Sequence, residues 1–101
     1  MVVVPVYTLG IWTVKPGREE EFIQAWRDMA TKTRSDFPTA SATLLRDREN
    51  PCRFISSGPW DSLEQVEAWR ASAAFLDGVG RIRELVDSFE PHTRDEAAVI
   101  G

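Results

Sequence analysis

The sequence has very few of the residue types from which most reactive sites are built. Its 101 residues include one cysteine, Cys52, one histidine, His92, and one tyrosine, Tyr7. A single cysteine cannot close an internal disulfide, and neither Cys52 nor His92 has neighbours at metal-ligand spacing. No Ser/His/Asp order, glycine-rich phosphate loop or paired catalytic carboxylates are present. We therefore predict no metal site and no other cofactor.

A basic surface and a long hydrophobic run are also missing. The 12 Lys and Arg residues are outnumbered by 16 Asp and Glu residues, which gives a net charge of −4 and argues against a nucleic-acid partner. The apolar run Val2-Val3-Val4 is broken by Pro5 and is too short for a signal peptide or a membrane span. We expect a cytoplasmic protein with no membrane partner.

The patterns that are present predict an α+β fold. Strands are indicated by alternating, β-branched or aromatic stretches, and helices by apolar residues three and four apart. Strands are predicted over 7–14, 41–47, 53–59 and 88–93, with helices over 19–33 and from 61 onward. The order βαββαβ is that of a ferredoxin-like antiparallel sheet. We expect one domain over 1–101, with its core at about 7–93 and a tail over 94–101, either frayed or laid on a partner.

The second helical region is predicted in two pieces. Asp61 is a suitable N-cap, and Glu64 would complete a capping box with it. A break near Ser72 separates the first apolar stripe from a second one, formed by Phe75, Leu76, Val79, Ile82, Leu85 and Val86.

Both helices of such a fold cover the same face of the sheet. The other face would leave apolar strand residues in water unless another molecule covers it. We therefore predict a homodimer.

Two stretches resemble a known family. Trp12-Thr13-Val14-Lys15-Pro16-Gly17-Arg18-Glu19-Glu20-Glu21-Phe22, followed by Trp26, resembles the first strand and helix of antibiotic biosynthesis monooxygenase domains. The run from Trp60 to Phe75 resembles the end of their third strand and their second helix. The resemblance covers about residues 7–93 and implies a dimeric α/β barrel, in which two sheets pack face to face. The superfamily includes oxygenases, haem-degrading enzymes, isomerases and proteins with no known activity.

The resemblance also implies a ligand site between the sheet and the helices. Strand alternation puts Thr8, Gly10, Trp12 and Val14 on one face, which we expect to meet the helices. The predicted lining is Thr8, Gly10, Trp12, Phe75 and Val79, with Trp69 from the helical side. Trp26, Trp60 and Phe22 are expected in the core.

The haem-degrading branch uses a first-strand asparagine, a helix tryptophan and an iron-ligating histidine ten residues later. Here the tryptophan corresponds to Trp69, but Gly10 and Val79 stand at the other two positions. Valine cannot ligate iron and glycine has no amide to steer oxygen, so haem binding or degradation is a minor alternative. His92 would be an axial ligand only from another direction.

The oxygenase branch needs no metal or flavin, because an electron-rich phenol or anthrone can itself reduce dioxygen. Such a site needs a dry cavity, a proton acceptor and donors for the developing anion. We predict Trp69, His92 and Arg53 as catalytic: Trp69, with Trp12, as an indole donor, Arg53 as a partner for a phenolate, and His92 or Tyr7 for proton exchange. Each also has a plain alternative as a core, strand or surface residue.

Glycines form the last unusual pattern. Gly78 and Gly80 flank Val79 in a helix, where they mark either a helix joint or, together with Gly10, space for a ligand. The sequence thus favours cofactor-independent oxygenation of an aromatic or polyketide-like compound. The alternative is a non-catalytic ligand-binding or stress-related domain. A cavity with a buried proton acceptor facing Trp12 and Trp69 favours the enzyme, and a cavity filled by these side chains favours the alternative.

Overall fold

The computed structural model describes residues 5–101, so the Val2-Val3-Val4 run lies outside the described residues. The elements follow in the order β1 Val6–Val14, α1 Glu19–Asp36, β2 Thr43–Arg46, β3 Arg53–Trp60, α2 Leu63–Arg70, α3 Ala73–Ile82 and β4 Val86–Asp95. The four strands form one antiparallel sheet in the order β2-β3-β1-β4. The predicted ferredoxin-like α+β fold is therefore confirmed.

Strand β1 is central and positions the face that meets the helices. Its residues alternate between buried and half-buried, and the buried set is Val6, Thr8, Gly10, Trp12 and Val14. In register with Trp12 are Phe54 of β3 on one side and Phe89 of β4 on the other. Every second residue of β1 therefore lies on the sheet face that packs against the helices.

Helix α1 begins after a turn that requires glycine. Gly17 has a φ of 87°, which L side chains rarely adopt, and its N–H donates to Glu19 Oε1 at 2.8 Å. The helix continues past the predicted end at residue 33 and ends at Asp36. Thr33 lies on its buried side, together with Phe22, Ala25 and Met29. Pro38 then disfavours helical geometry at Phe37, the residue before it.

The cap of α2 differs from the sequence-based prediction. Ser62, not Asp61, is the N-cap, because Ser62 has extended backbone angles and its side chain accepts from the Gln65 N–H at 3.2 Å. The Gln65 side chain in turn accepts from the Asp61 N–H at 3.1 Å. Ser72 caps α3 in the same way by accepting from the Phe75 N–H.

The end of α3 was also predicted incorrectly. The helix ends at Ile82, while Val86 already belongs to β4, whose pairing with β1 extends to Asp95 opposite Val6. Short apolar runs do not distinguish a buried helix from a strand, so Leu85 and Val86 fitted the helical pattern. The tail after the last strand begins at residue 96 rather than 94.

The core has two parts. One cluster surrounds Trp12, Phe22 and Phe54 between the sheet and α1, and the other surrounds Trp60 and Val66 near α2. Within residues 5–101, no helix combines the length and hydrophobicity needed to cross a membrane. In the same range, no three His, Cys, Asp or Glu side chains are grouped so that they could hold a metal ion.

Candidate functional site

A cavity of about 290 Å³ lies where the two core clusters meet, between the sheet and α1 with α2 at one end. Typical ligand pockets measure roughly 300–1,000 Å³, so this cavity is at the small end of the range for small-molecule sites. The aromatic walls are Trp12, Trp26, Trp60, Trp69 and Phe89. The cavity is open rather than filled by its tryptophans.

Three of these tryptophans donate to hydroxyl groups on the same lining. Trp12 Nε1 donates to Ser56 Oγ at 3.0 Å, and Trp69 Nε1 donates to Thr33 Oγ1 at 2.9 Å. Trp60 Nε1 donates to Thr8 Oγ1 at 3.2 Å. These three indole N–H groups are therefore engaged within the protein and are not free to hold a ligand, in contrast to the sequence-based expectation for Trp12 and Trp69.

The hydroxyls carry the polar chemistry of the lining. A hydroxyl has two acceptor sites and one donor, and each of these oxygens has one acceptor site occupied by an indole N–H. Among residues 5–101, Ser56, Thr8 and Thr33 donate no side-chain hydrogen bond to another group. Their protons can therefore be offered to an oxygen atom of a ligand, and the accepted indole bond strengthens that donation.

Trp12 is held rigidly. Its ring stacks on the Phe89 ring, with the centroids 3.9 Å apart and the planes 9° from parallel. Only 2% of the Trp12 surface is exposed. A Cβ on Gly10 would lie 2.7 Å from Ser56 Oγ and 2.9 Å from Trp12 Nε1. Gly10 is thus required by the close approach of the Trp12–Ser56 pair.

The contacts around Gly10 also test whether the cavity could hold haem. An asparagine at position 10 would displace the Trp12–Ser56 pair, and Val79 is a buried core residue without a ligating atom. The lining contains no histidine among the described residues. The residues present do not fit a haem site of the kind that the resemblance suggested.

The predicted lining residues divide into two groups. Thr8, Gly10, Trp12 and Trp69 line the cavity. Phe75 and Val79 do not: Phe75 packs edge-on against Trp69 with centroids 4.7 Å apart, and Val79 of α3 belongs to the core cluster that contains Trp12 and Phe22. Trp60 and Trp26, which we expected only in the core, also line the cavity.

The proposed polar partners lie on the wrong face of the sheet. Arg53 is in register with Thr13, His92 with Leu9, and Tyr7 with Pro59 and Arg94. All of these positions alternate with the cavity-facing set, so their side chains are on the face away from the helices. Arg53, His92 and Tyr7 are therefore not brought to the cavity with Trp69.

The glycines of α3 do not add space to the cavity. A Cβ on Gly78 would lie 2.5 Å from Met29 Cγ, so Gly78 permits the close packing of α3 on α1. Gly80 has open space around its missing Cβ and is exposed. Of the three glycines, only Gly10 lies on the lining.

Sequence reasoning missed most polar residues of the lining, which are Arg27, Thr31, Thr33, Arg34, Ser41, Ser56, Ser57 and Arg70. A sequence signal existed for Ser56 and Thr33. Ser56 lies two residues after the buried Phe54 and hence on the same strand face, and Thr33 lies four residues after Met29 on the buried side of α1. The arginines gave no such signal because charged helix residues usually face solvent.

Cys52 lies outside the cavity. Its Sγ lies 3.4 Å from Glu19 Oε1 in a hydrogen bond. The hydrogen bond to the Glu19 carboxylate, with partial burial, raises the pKa of the Cys52 thiol. This thiol is therefore kept protonated and is a weak nucleophile.

Comparison with known proteins identifies the family of the chain. The sequence model of the antibiotic biosynthesis monooxygenase family matches residues 5–81. The chain belongs to that family. No curated protein matches the sequence.

Several solved structures share the fold of this chain. SnoaB from Streptomyces nogalater, described as a cofactor-independent oxygenase, is 21% identical over 95% of this chain and 96% of its own, with a TM-score of 0.84. Proteins from Shewanella oneidensis (19% identity, 94% and 93% coverage, TM-score 0.81) and Nitrosomonas europaea (16%, 100% and 98%, 0.83) are also similar. At these identities the likeness establishes the fold alone.

Proposed function

We propose that this family member is a cofactor-independent monooxygenase that oxidises an aromatic or polyketide-like compound in the cavity. The observation that carries the proposal is the open cavity walled by Trp12, Trp60 and Trp69, in which the three hydroxyl groups offer hydrogen-bond donors. The aromatic walls bind flat rings and exclude water. The likeness to SnoaB, a cofactor-independent oxygenase, supports the same reaction class.

The hydroxyls of Ser56, Thr8 and Thr33 supply the electrostatic part of the proposal. Hydrogen bonds to the anionic form of a ligand lower its pKa, so donors aimed at a phenol or anthrone oxygen favour the electron-rich anion. In a site shielded from water such donors contribute more than they would in solution. The released proton leaves to solvent at the open side of the cavity, because Arg53, Tyr7 and His92 lie on the other face of the sheet.

The proposed reaction balances without a metal or flavin. An anthrone loses a proton from its methylene carbon, and the carbanion gives one electron to dioxygen. The resulting radical pair forms a carbon–oxygen bond, and protonation yields a hydroperoxide. Loss of water from the hydroperoxide leaves a ketone, so one oxygen atom of O₂ enters the quinone and the other leaves as water.

The test is oxygen uptake by metal-free and flavin-free protein supplied with dithranol, an electron-rich anthrone. We expect one O₂ to be consumed for each anthraquinone formed, at a rate well above the uncatalysed autoxidation. Mass spectrometry after ¹⁸O₂ exposure should find one labelled atom in the product. Uptake no faster than in the protein-free control would contradict the oxygenase proposal.

One observation favours a second candidate, a non-catalytic binding domain. The described lining contains no Asp, Glu or His side chain that could act as a buried proton acceptor. If dithranol and its quinone bind in a fluorescence titration while oxygen uptake stays at the control rate, the binding domain replaces the oxygenase.

The outer sheet face supports a homodimer as part of this proposal. Leu9, Ile11, Leu45 and Ile55 lie together on the face away from the helices, with Leu45 56% and Ile55 38% exposed. Light scattering should give twice the 11.4 kDa mass of one chain. Leu45→Asp should produce monomers, whereas Leu76→Asp on the exposed side of α3 should not. A wild-type monomer would remove the dimer from the proposal.

The free thiol of Cys52 is compatible with a reducing compartment, and a cytoplasmic location remains part of the proposal.

A further inference from the structure

Three arginines stand at the helical side of the cavity. Arg27 and Arg34 of α1 are seven residues apart, so they lie on one side of that helix two turns from each other. Arg70 comes from the end of α2 and is half-buried. Its guanidinium donates to Thr93 Oγ1 at 2.7 Å and to the His92 carbonyl oxygen at 3.1 Å. These two bonds to β4 fix the Arg70 side chain and leave further N–H groups available.

Within residues 5–101, no carboxylate forms an ion pair with Arg27, Arg34 or Arg70. The ion pairs among residues 5–101 involve Arg18, Arg46 and Arg81. The described lining of the cavity contains no Asp or Glu, although acidic residues outnumber basic ones in the chain. The lining therefore combines uncompensated positive charge with hydroxyl donors.

We infer that the cavity takes an aromatic ligand that carries a carboxylate, with Arg70 as the main carboxylate partner and Arg27 and Arg34 as supporting charges. A guanidinium matches a carboxylate with two parallel hydrogen bonds, and a partly buried, fixed guanidinium loses little freedom in forming them. The hydroxyls of Ser56, Thr8 and Thr33 remain for the ring oxygens. This inference deepens the proposed function by naming the substrate class, and its binding test does not depend on turnover.

The experiment uses two compounds that differ at one position. Rhein anthrone carries a carboxylate where chrysophanol anthrone carries a methyl group, and the corresponding quinones, rhein and chrysophanol, serve as non-reacting ligands. Wild-type protein should bind rhein about 10- to 100-fold more tightly than chrysophanol, as expected for a charge-assisted pair away from bulk water. Added salt should reduce the preference, because screening weakens exposed charges such as Arg27 and Arg34.

Variants assign the preference to residues. Arg70→Gln should remove most of the preference for rhein while leaving chrysophanol affinity within about twofold. Arg27→Gln and Arg34→Gln, at exposed positions, should each reduce the preference several-fold, so the inference stays testable if Arg70→Gln does not fold. Arg48→Gln, in the exposed turn between β2 and β3, is the matched control and should change neither affinity.

Equal affinity of the wild type for rhein and chrysophanol would overturn the inference. Equal loss of both affinities in all three cavity variants would also overturn it. Oxygen uptake separates the two proposals. If both anthrones are turned over without a preference, the oxygenase proposal stands and the carboxylate site is wrong. If rhein binding depends on the arginines but no turnover occurs, the carboxylate site stands and the oxygenase proposal is wrong.

Discussion

The indole Nε1 of Trp12 donates to Ser56 Oγ at 3.0 Å, across the pairing of β1 with β3. The bond joins a wall of the cavity to one of its hydroxyl donors. Because Trp12 is almost fully buried, its N–H would have no partner if the serine hydroxyl were removed. The pair therefore links the stability of the core to the chemistry of the cavity.

Ser56→Ala tests both parts of that link. It leaves the buried indole N–H unsatisfied, and we expect a loss of about 1–3 kcal/mol in the free energy of unfolding. Oxygen uptake per folded molecule should fall roughly 10- to 100-fold if the hydroxyl stabilises the developing anion. Denaturant unfolding and oxygen uptake measure the two effects. Ser35→Ala on the exposed side of α1 should change neither, and unaltered turnover in Ser56→Ala would show that Ser56 is only structural.

A double-mutant cycle measures how much the Trp69–Thr33 hydrogen bond contributes to the free energy of unfolding. Trp69→Phe and Thr33→Val each break the 2.9 Å hydrogen bond, and Trp69→Phe also reduces contact with Trp60 and Phe75. Stability measurements on the single and double variants should give a coupling energy of about 0.5–1.5 kcal/mol. Coupling near zero would mean that the bond does not contribute to folding.

Two glycines in α3 should respond oppositely to alanine. Gly78→Ala places a methyl group against Met29 and should destabilise the fold by about 1–3 kcal/mol. Gly80→Ala meets no atom within 4 Å and should stabilise the helix by about 0.5–1 kcal/mol. The melting temperature should fall in Gly78→Ala and rise in Gly80→Ala, and each variant serves as the control for the other. A shift in the same direction for both would contradict the packing of α3 on α1.

Cys52 offers a test of a local charge effect. The Glu19 carboxylate raises the pKa of the Cys52 thiol, so less thiolate is present at pH 8 than an ordinary cysteine would have. Glu19→Gln should lower that pKa and speed alkylation by iodoacetamide several-fold, with the difference shrinking at pH values well above the raised pKa. Glu20→Gln, the adjacent exposed carboxylate, is the control. Equal rates in the two variants would show that the Glu19 contact has no effect.

More of the fold than of the candidate site could be predicted from the sequence. Strand alternation placed Thr8, Gly10 and Trp12 on one face because a period of two needs no partner strand to be recognised. The faces of Arg53 and His92 depend on their register with β1, which is set by β3 and β4 pairing and is not encoded locally. A shift of one residue in such a register moves a side chain to the other face.

The hydrogen bonds of the tryptophans were hidden for a similar reason. Each joins residues far apart in the sequence: Trp12 with Ser56, Trp60 with Thr8, and Trp69 with Thr33. Helical spacing identifies Trp69 as facing inward, but it does not reveal whether its N–H meets a hydroxyl or a ligand. The glycine pattern was ambiguous too, because a missing side chain can leave space or admit a neighbour, as Met29 does at Gly78.

The most direct measurement of the central proposal compares oxygen uptake with dithranol in the wild type and two alanine-to-tryptophan variants. Ala30 is half-buried on the cavity lining, whereas Ala68 is exposed on α2 outside it. With circular dichroism confirming the fold of each, Ala30→Trp should fill the cavity and reduce uptake to the protein-free rate, while Ala68→Trp should match the wild type. Uptake by Ala30→Trp equal to that of the wild type would show that oxygenation does not occur in this cavity.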